Sequence, residues 1–187
     1  MLNVPANITI DDLLLQFSPD MAKGIIALSG KAAELAGTTF SLCIDVSGDL
    51  YSYVVKDGAE FDVKKGSIAN PMVHIKISKE DLAKMIKTNS LDMLLGIQND
   101  LSRAKYDALN RVKGQMTAVL SNDDGSAFTI VAALNGAENP KATFRMATKD
   151  SAALMRKEAN PVNLFMSGAM KIEGDMAFAM STQPLFS

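Results

Sequence analysis

Few residues in this chain could do acid–base or covalent chemistry, and their spacing argues against most of it. The single histidine, His74, alternates out of phase with Val73, Ile75 and Ile77. On a strand it would point away from the main apolar face, and no partner acid or base accompanies it. Cys43, the only cysteine, is likewise out of phase with Leu42 and Ile44 and reads as a half-buried structural thiol. One cysteine rules out an internal disulfide and fits a reducing compartment. One His and one Cys do not supply the usual zinc ligand set, so no metal and no cofactor are expected. Asp123-Asp124 precede Gly125 and suit a turn better than a cation site, as Asp11-Asp12 suit a helix start. The Gly168 to Gly174 spacing lacks the Gly-Lys-Ser/Thr of a phosphate loop. No catalytic residue is expected; an enzyme would need Cys43 or His74 beside a cleft.

Methionine carries a different signal. The chain has 12 Met and no Trp. Met146, Met155, Met166, Met170, Met176 and Met180 all fall near its end. Methionine is flexible and polarizable, so it lines surfaces that adapt to variable apolar shapes, although the same residues also suit an ordinary core. A dozen buried methylenes would give roughly 10 kcal/mol before ordering costs, and such binding needs no catalytic group. With 48% hydrophobic and 21% charged residues the chain is expected to fold around a sizeable core. A net charge of −2 gives no electrostatic footprint for nucleic acid, and no polybasic cluster marks an anionic membrane. Lys149, Arg156, Lys157 and Lys171 read as a solvated face.

The elements that must position these side chains follow from periodicity. Residues 10–36 predict helix, with Asp11 as cap, a division at Ser18-Pro19 and a stop at Gly37. Alternation at Phe40, Leu42, Ile44 and Val46, then Leu50 to Lys56, then Phe61 and Val63, predicts three strands with Asp57-Gly58 as a hairpin turn. Asn70-Pro71 opens a fourth strand bearing Val73, Ile75 and Ile77. Ser78 caps a helix, and an apolar turn at Leu91, Met93, Leu94 and Leu95 closes at Gly96. A second cycle begins with a helix over residues 101–111 and strands over 115–120 and at Phe128, Ile130 and Ala132. A strand after Asn139-Pro140 carries Phe144 and Met146, and Thr148 or Asp150 caps a helix bearing Leu154 and Met155.

Asn70-Pro71, Ile75, Ile77, Asp81 and Met85 align without gaps on Asn139-Pro140, Phe144, Met146, Asp150 and Leu154. This predicts an internal repeat: residues 1–98 as a truncated copy with N-terminal helices, and 99–187 as a more complete copy with a C-terminal helix. No Pro/Gly/Ser-rich linker separates them, so the expected arrangement is one packed pseudo-dimer.

Residues 160–180 organise the second copy. Asn160-Pro161 opens a helical turn that Gly168 ends, Met170 and Ile172 alternate as a strand, and Met176, Ala177, Ala179 and Met180 fall at helical spacing. A strand over 176–180 is the alternative. Asn160, Pro161, Phe165, Gly168, Met170, Lys171, Ile172, Gly174, Asp175, Met176, Ala179 and Met180 resemble the closing motif of the sterol carrier protein 2 (SCP2-like) family. The first half departs from that motif at Gly96-Ile97-Gln98-Asn99-Asp100.

The resemblance implies an α+β fold in which an antiparallel or mixed sheet is covered on one face by helices. It also implies non-enzymatic binding, and transfer, of a lipid or another apolar molecule in a tunnel walled by the C-terminal helix. The ligand-binding candidates it implies are Leu164, Phe165, Met170, Ile172, Met176, Ala179 and Met180. Phe144, Met146, Leu154 and Met155 join them from the pattern of apolar residues alone. The alternative function is a protein–protein interaction or dimerisation module using the apolar C-terminal helix. Expected partners are therefore a hydrophobic small molecule, a membrane in transient contact, and another copy of the chain, with no nucleic acid. No basic leader precedes Asp11-Asp12, no apolar run is long enough to span a bilayer, and the end, Leu185-Phe186-Ser187, is not a Ser-Lys-Leu address; a soluble cytoplasmic protein is the expectation.

Overall fold

The alternating runs of the sequence become strands of a single sheet in the structure, a computed structural model that describes residues 4–5 and 7–186, with the side chains of 97–99 excepted. Ser187 lies outside the described residues. The strands are β1 (Thr39–Val46), β2 (Asp49–Lys56), β3 (Glu60–Lys65), β4 (Val73–Ile77), β5 (Gly114–Ser121), β6 (Ala127–Leu134), β7 (Lys141–Ala147) and β8 (Met170–Gly174). Their order across the sheet is β3-β2-β1-β4-β6-β5-β7-β8. The sheet is mixed: β1 pairs in parallel with β4 and β5 with β7, while the other neighbours are antiparallel.

Register makes one face continuous. Ile44 lies beside Ile75, Ile75 beside Ala132, Ala132 beside Met116, and Phe144 beside Ile172. Strand side chains alternate in direction, so these residues share a side. They form much of the core with Leu42, Val73, Ile77, Ile130 and Met146. The opposite side carries Ser52, Cys43, His74, Gln115 and Thr143, with charged residues such as Lys76, Arg145 and Glu173. Helices cover the apolar side, which is the α+β arrangement expected.

The helices are α1 (Ile10–Asp12), α2 (Ser18–Ser29), α3 (Lys79–Lys87), α4 (Asp92–Asn99), α5 (Arg103–Arg111), α6 (Thr148–Met155), α7 (Pro161–Met166) and α8 (Met176–Ser181), followed by a 3-10 turn at Gln183–Leu185. Several boundaries differ from those read in the sequence. Thr9, not Asp11, caps the first helix by accepting from the Asp12 N–H. Ser18-Pro19 does not divide the N-terminal helix: a π-helical segment, Leu13–Phe17, joins α1 to α2, and the Ser18 N–H reaches back to the Leu13 carbonyl. Pro19 has no N–H to continue that pattern to Leu14. The Leu14 carbonyl instead accepts from the Tyr53 hydroxyl at 2.6 Å, which ties the helix to β2. The helix then ends at Gly30, in the left-handed region at φ 67°, well before Gly37.

Helix α4 runs through Gly96 instead of stopping there, because α4 packs on α6 at that residue. A Cβ at Gly96 would lie 2.6 Å from the Met155 sulfur. Ser102 caps α5 by accepting from the Lys105 N–H, so the helix begins at Arg103, two residues inside the start read at Leu101. Neither Thr148 nor Asp150 caps α6. Its cap position is Ala147, and the Thr148 hydroxyl donates to Asn122 instead. The closing motif folds as helix, strand, helix, and the alternative of a strand over 176–180 is not formed.

Asp100 follows α4 at its C-cap position. Its carboxylate receives Lys31 at 3.1 Å, Lys105 at 2.7 Å and Lys157 at 2.9 Å. Burial raises the pKa of this carboxyl, and the hydrogen bonds from Lys105, Lys157 and Lys31 outweigh it, holding the group well below the usual carboxylate range.

Candidate functional site: an apolar cavity across five strands

A cavity of about 100 Å³ lies between the apolar side of the sheet and the helices. Its floor is built strand by strand. Met170 and Ile172 come from β8, Phe144 and Met146 from β7, Met116 and Ala118 from β5, and Ile130, Ala132 and Leu134 from β6. Ile75 on β4 ends the row. Space exists here because Ala118 and Ala132 are small residues on adjacent strands, set among Met116, Ile130 and Phe144. The roof is Met93 of α4, Leu154 of α6, Pro161, Val162 and Phe165 of α7, Ala179 and Met180 of α8, and the C-terminal turn through Leu185 and Phe186.

Among the described residues, no charged side chain lines this space. Thr182 and Gln183 are its polar members, and the Thr182 hydroxyl donates to the Ala179 carbonyl at 2.7 Å. The arrangement can desolvate an apolar body; it offers no general acid, base or nucleophile in the lining. Val162, Phe165 and Met180 line the cavity and are also 40%, 37% and 47% exposed. The cavity therefore meets solvent between α7 and α8, where Met166 and Met176 extend the exposed apolar rim.

The two roof helices are held differently. Asn160 caps α7 by accepting from the N–H groups of Val162 and Asn163, but none of the helix's own residues is buried. In α8, Asp175 accepts from the Phe178 N–H, and Phe178 and Ala179 are buried. The Phe178 ring lies on Gly114, where a Cβ would come within 2.5 Å of it and 2.6 Å of the Pro140 carbonyl. Gly114 also has φ 144°, a conformation L-residues rarely adopt.

Of the residues singled out in the sequence, Phe144, Met146, Leu154, Phe165, Met170, Ile172, Ala179 and Met180 stand in the lining. Met155, Leu164 and Met176 do not. Met155 faces Gly96 of α4, Leu164 packs against the core, and Met176 is on the outer rim. The sequence reading missed Ile75, Met93, Met116, Ala118, Ile130 and Ala132. Alternation marked Ile75, Ile130 and Ala132 as apolar strand positions, but which residues border a gap depends on register between distant strands.

Cys43 and His74 are neighbours in register on the opposite side of the sheet. Cys43 is 2% exposed, and burial, with the Asp45 charge second, pushes its thiol pKa up, away from a nucleophile's range. The His74 Nε2 is buried without a hydrogen-bond partner. Among the described residues no group of three or more His, Cys, Asp or Glu could hold a metal ion, and no helix is long and apolar enough to cross a membrane.

This geometry defines a class: an α+β protein whose mixed sheet and helices enclose an uncharged apolar cavity. Residues 99–187 match the SCP-2 sterol transfer family. Among solved structures, the chain is similar to the sterol carrier protein domain 2 of Helicoverpa armigera, at 25% identity over 56% of this chain and 84% of that one, with a TM-score of 0.37. It is also similar to sterol carrier protein 2 from Yarrowia lipolytica in its apo form, at 13% identity, 97% and 95% coverage and a TM-score of 0.25. Sterol carrier protein 2 like 2 from Aedes aegypti gives 12% identity, 90% and 95% coverage and a TM-score of 0.24. Superpositions at this level add no argument beyond the family match. No curated protein sequence matches the chain.

Proposed function

We propose that the protein binds a lipid or another apolar small molecule in the cavity between sheet and helices, without catalysing a reaction on it, and transfers it. The observation that carries this reading is an uncharged cavity that opens through an apolar rim. The family match over residues 99–187 supports the ligand class. At about 100 Å³ the cavity is smaller than an engineered apolar cavity of about 150 Å³ that admits benzene, so a longer ligand must displace a wall. The C-terminal helix, one wall of the tunnel that the resemblance implies, is the better anchored through Phe178 and Ala179. Helix α7, with no buried residue, is the wall that gives way.

The internal repeat and its division at 98/99 belong to the same proposal. Each half makes an antiparallel hairpin, β1-β2 or β5-β6, whose first strand then pairs in parallel with a later one, β4 or β7. That shared connectivity supports two related units in one sheet. The interaction-module reading draws its support from Met166, 78% exposed on the rim.

Titration with a fluorescent fatty acid tests the function. Saturable uptake displaced by unlabelled lipid is expected; no uptake, together with a stable dimer that buries Met166 and Met176, would replace the binding reading with the interaction module.

A further inference from the structure

We infer that the first half of the chain sets the depth of the pocket, with Ile75 of β4 as the residue that limits how long an apolar chain it accepts. The inference rests on the binding reading above and adds a specificity determinant outside the residues that match the family. Ile75 and Met93 both precede residue 99, yet both line the cavity.

The register shows how Ile75 acts. It is the direct neighbour of Ala132 on β6, whose small side chain leaves the floor open. Directly opposed antiparallel residues hold their Cβ atoms about 5 Å apart, so the Ile75 side chain closes the space that Ala132 leaves. Counted from β8 to β4, the floor crosses four strand spacings, about 19 Å. An extended apolar chain laid across the strands from the α7–α8 mouth would meet Ile75 at its far end.

Beyond that end the same face of the sheet holds a second, smaller apolar cavity of about 40 Å³. It is bordered by Phe40 and Leu42 of β1, Val55 of β2 and Val73 of β4. Strand β4 thus contributes Val73 to one cavity and Ile75, two residues on, to the other. Ile75 is 3% exposed and backed by Ile44, which is fully buried. The strand is a partition between the two spaces. Shortening Ile75 deepens the larger cavity toward the smaller one.

The test compares the full chain with Ile75→Ala across saturated fatty acids from octanoate to stearate. Each further methylene that is buried multiplies affinity about fourfold. If the lost side-chain carbons admit two more methylenes, preference for the longest chains over the shortest rises about 15-fold, and the optimum moves to a longer chain. A variant that is merely destabilised loses affinity for every chain alike, with the optimum unmoved, and that result overturns the inference. Should Ile75→Ala fail to fold, Met93→Ala at the half-buried roof position carries the test, with the same shift expected and an unmoved optimum again counting against it. Wild-type protein that binds none of the series overturns the binding reading itself, whereas wild-type binding with an unchanged optimum in the variants overturns only the role of Ile75.

Discussion

Filling the cavity from its floor should separate stability from binding, and Ala132→Leu is the substitution that does so. Ala132 stands between Ile75 and Met116 on the cavity floor. A residual cavity costs about 24 cal/mol per Å³, so the 100 Å³ here corresponds to about 2.4 kcal/mol relative to a filled core. Leucine adds three carbons, worth about 0.8 kcal/mol each when buried, which again gives about 2.4 kcal/mol. Crowding against Met116 and Ile75 opposes this by about 1 kcal/mol or more, the usual cost of added volume in a packed core. The expected net effect is a gain of about 1 kcal/mol, or a rise of roughly 2–4 °C in Tm for a chain of this size. Binding moves the other way. Space for about three methylenes is lost, so affinity for a fatty acid falls about 50-fold. The assay pairs urea unfolding followed by circular dichroism with titration of a fluorescent fatty acid. A loss of more than about 1.5 kcal/mol, the ordinary outcome of overpacking, would show that the space is not there. Unchanged affinity in a folded variant would show that it is not the binding site.

Other perturbations test the supports of the site. Asp100→Asn should destabilise the protein by about 2–3 kcal/mol at pH 7, because it strips a partner from Lys105, whose side chain is 9% exposed. The Asp100 pKa is depressed in the folded state, so its stabilisation is full above the unfolded value near 4 and is lost as pH falls below it. Urea midpoints of the two proteins should therefore converge in acid, and a gap that stayed constant from pH 7 to pH 3 would contradict that origin. Gly114→Ala should cost about 2 kcal/mol or more, since its Cβ meets the Phe178 ring and the Pro140 carbonyl at an unfavourable φ; thermal unfolding within 1 °C of wild type would refute the packing described. Asn160→Ala removes the cap of α7 and should lower local stability by about 1 kcal/mol. Hydrogen exchange at Leu164 and Ser167 should then quicken about fivefold while Ala179 in α8 is unaffected, and equal changes in both helices would argue against α7 as the looser wall.

Local chemistry was legible in the sequence at several points where a single segment decided the outcome, though the caps read at Asp11 and at Thr148 or Asp150 were not formed. Ser78 as a cap, Gly168 after a short helix and the alternation of Val73, Ile75 and Ile77 each depend on neighbours in the chain. Features set by distant partners were not. The π-helical segment at Leu13–Phe17 is stabilised by Tyr53 from β2, and nothing near Pro19 announces that hydroxyl. Helix α4 continues through Gly96 because Met155 packs there, so a residue that usually ends a helix instead permits close approach of two. The cavity shows the same limit. Phe144 and Met146 declare themselves by size and alternation, but Ala118 and Ala132 matter for what they leave empty. Only the pairing of β4, β5 and β6 reveals that space.

Native mass spectrometry of the purified full chain, followed by denaturation and identification of any small molecule released, tests apolar-ligand binding most directly. The account predicts a stoichiometric apolar molecule, or stoichiometric uptake of an added fatty acid by protein that arrives empty. A chain that emerges free of ligand and takes up no fatty acid at concentrations well above micromolar would contradict it.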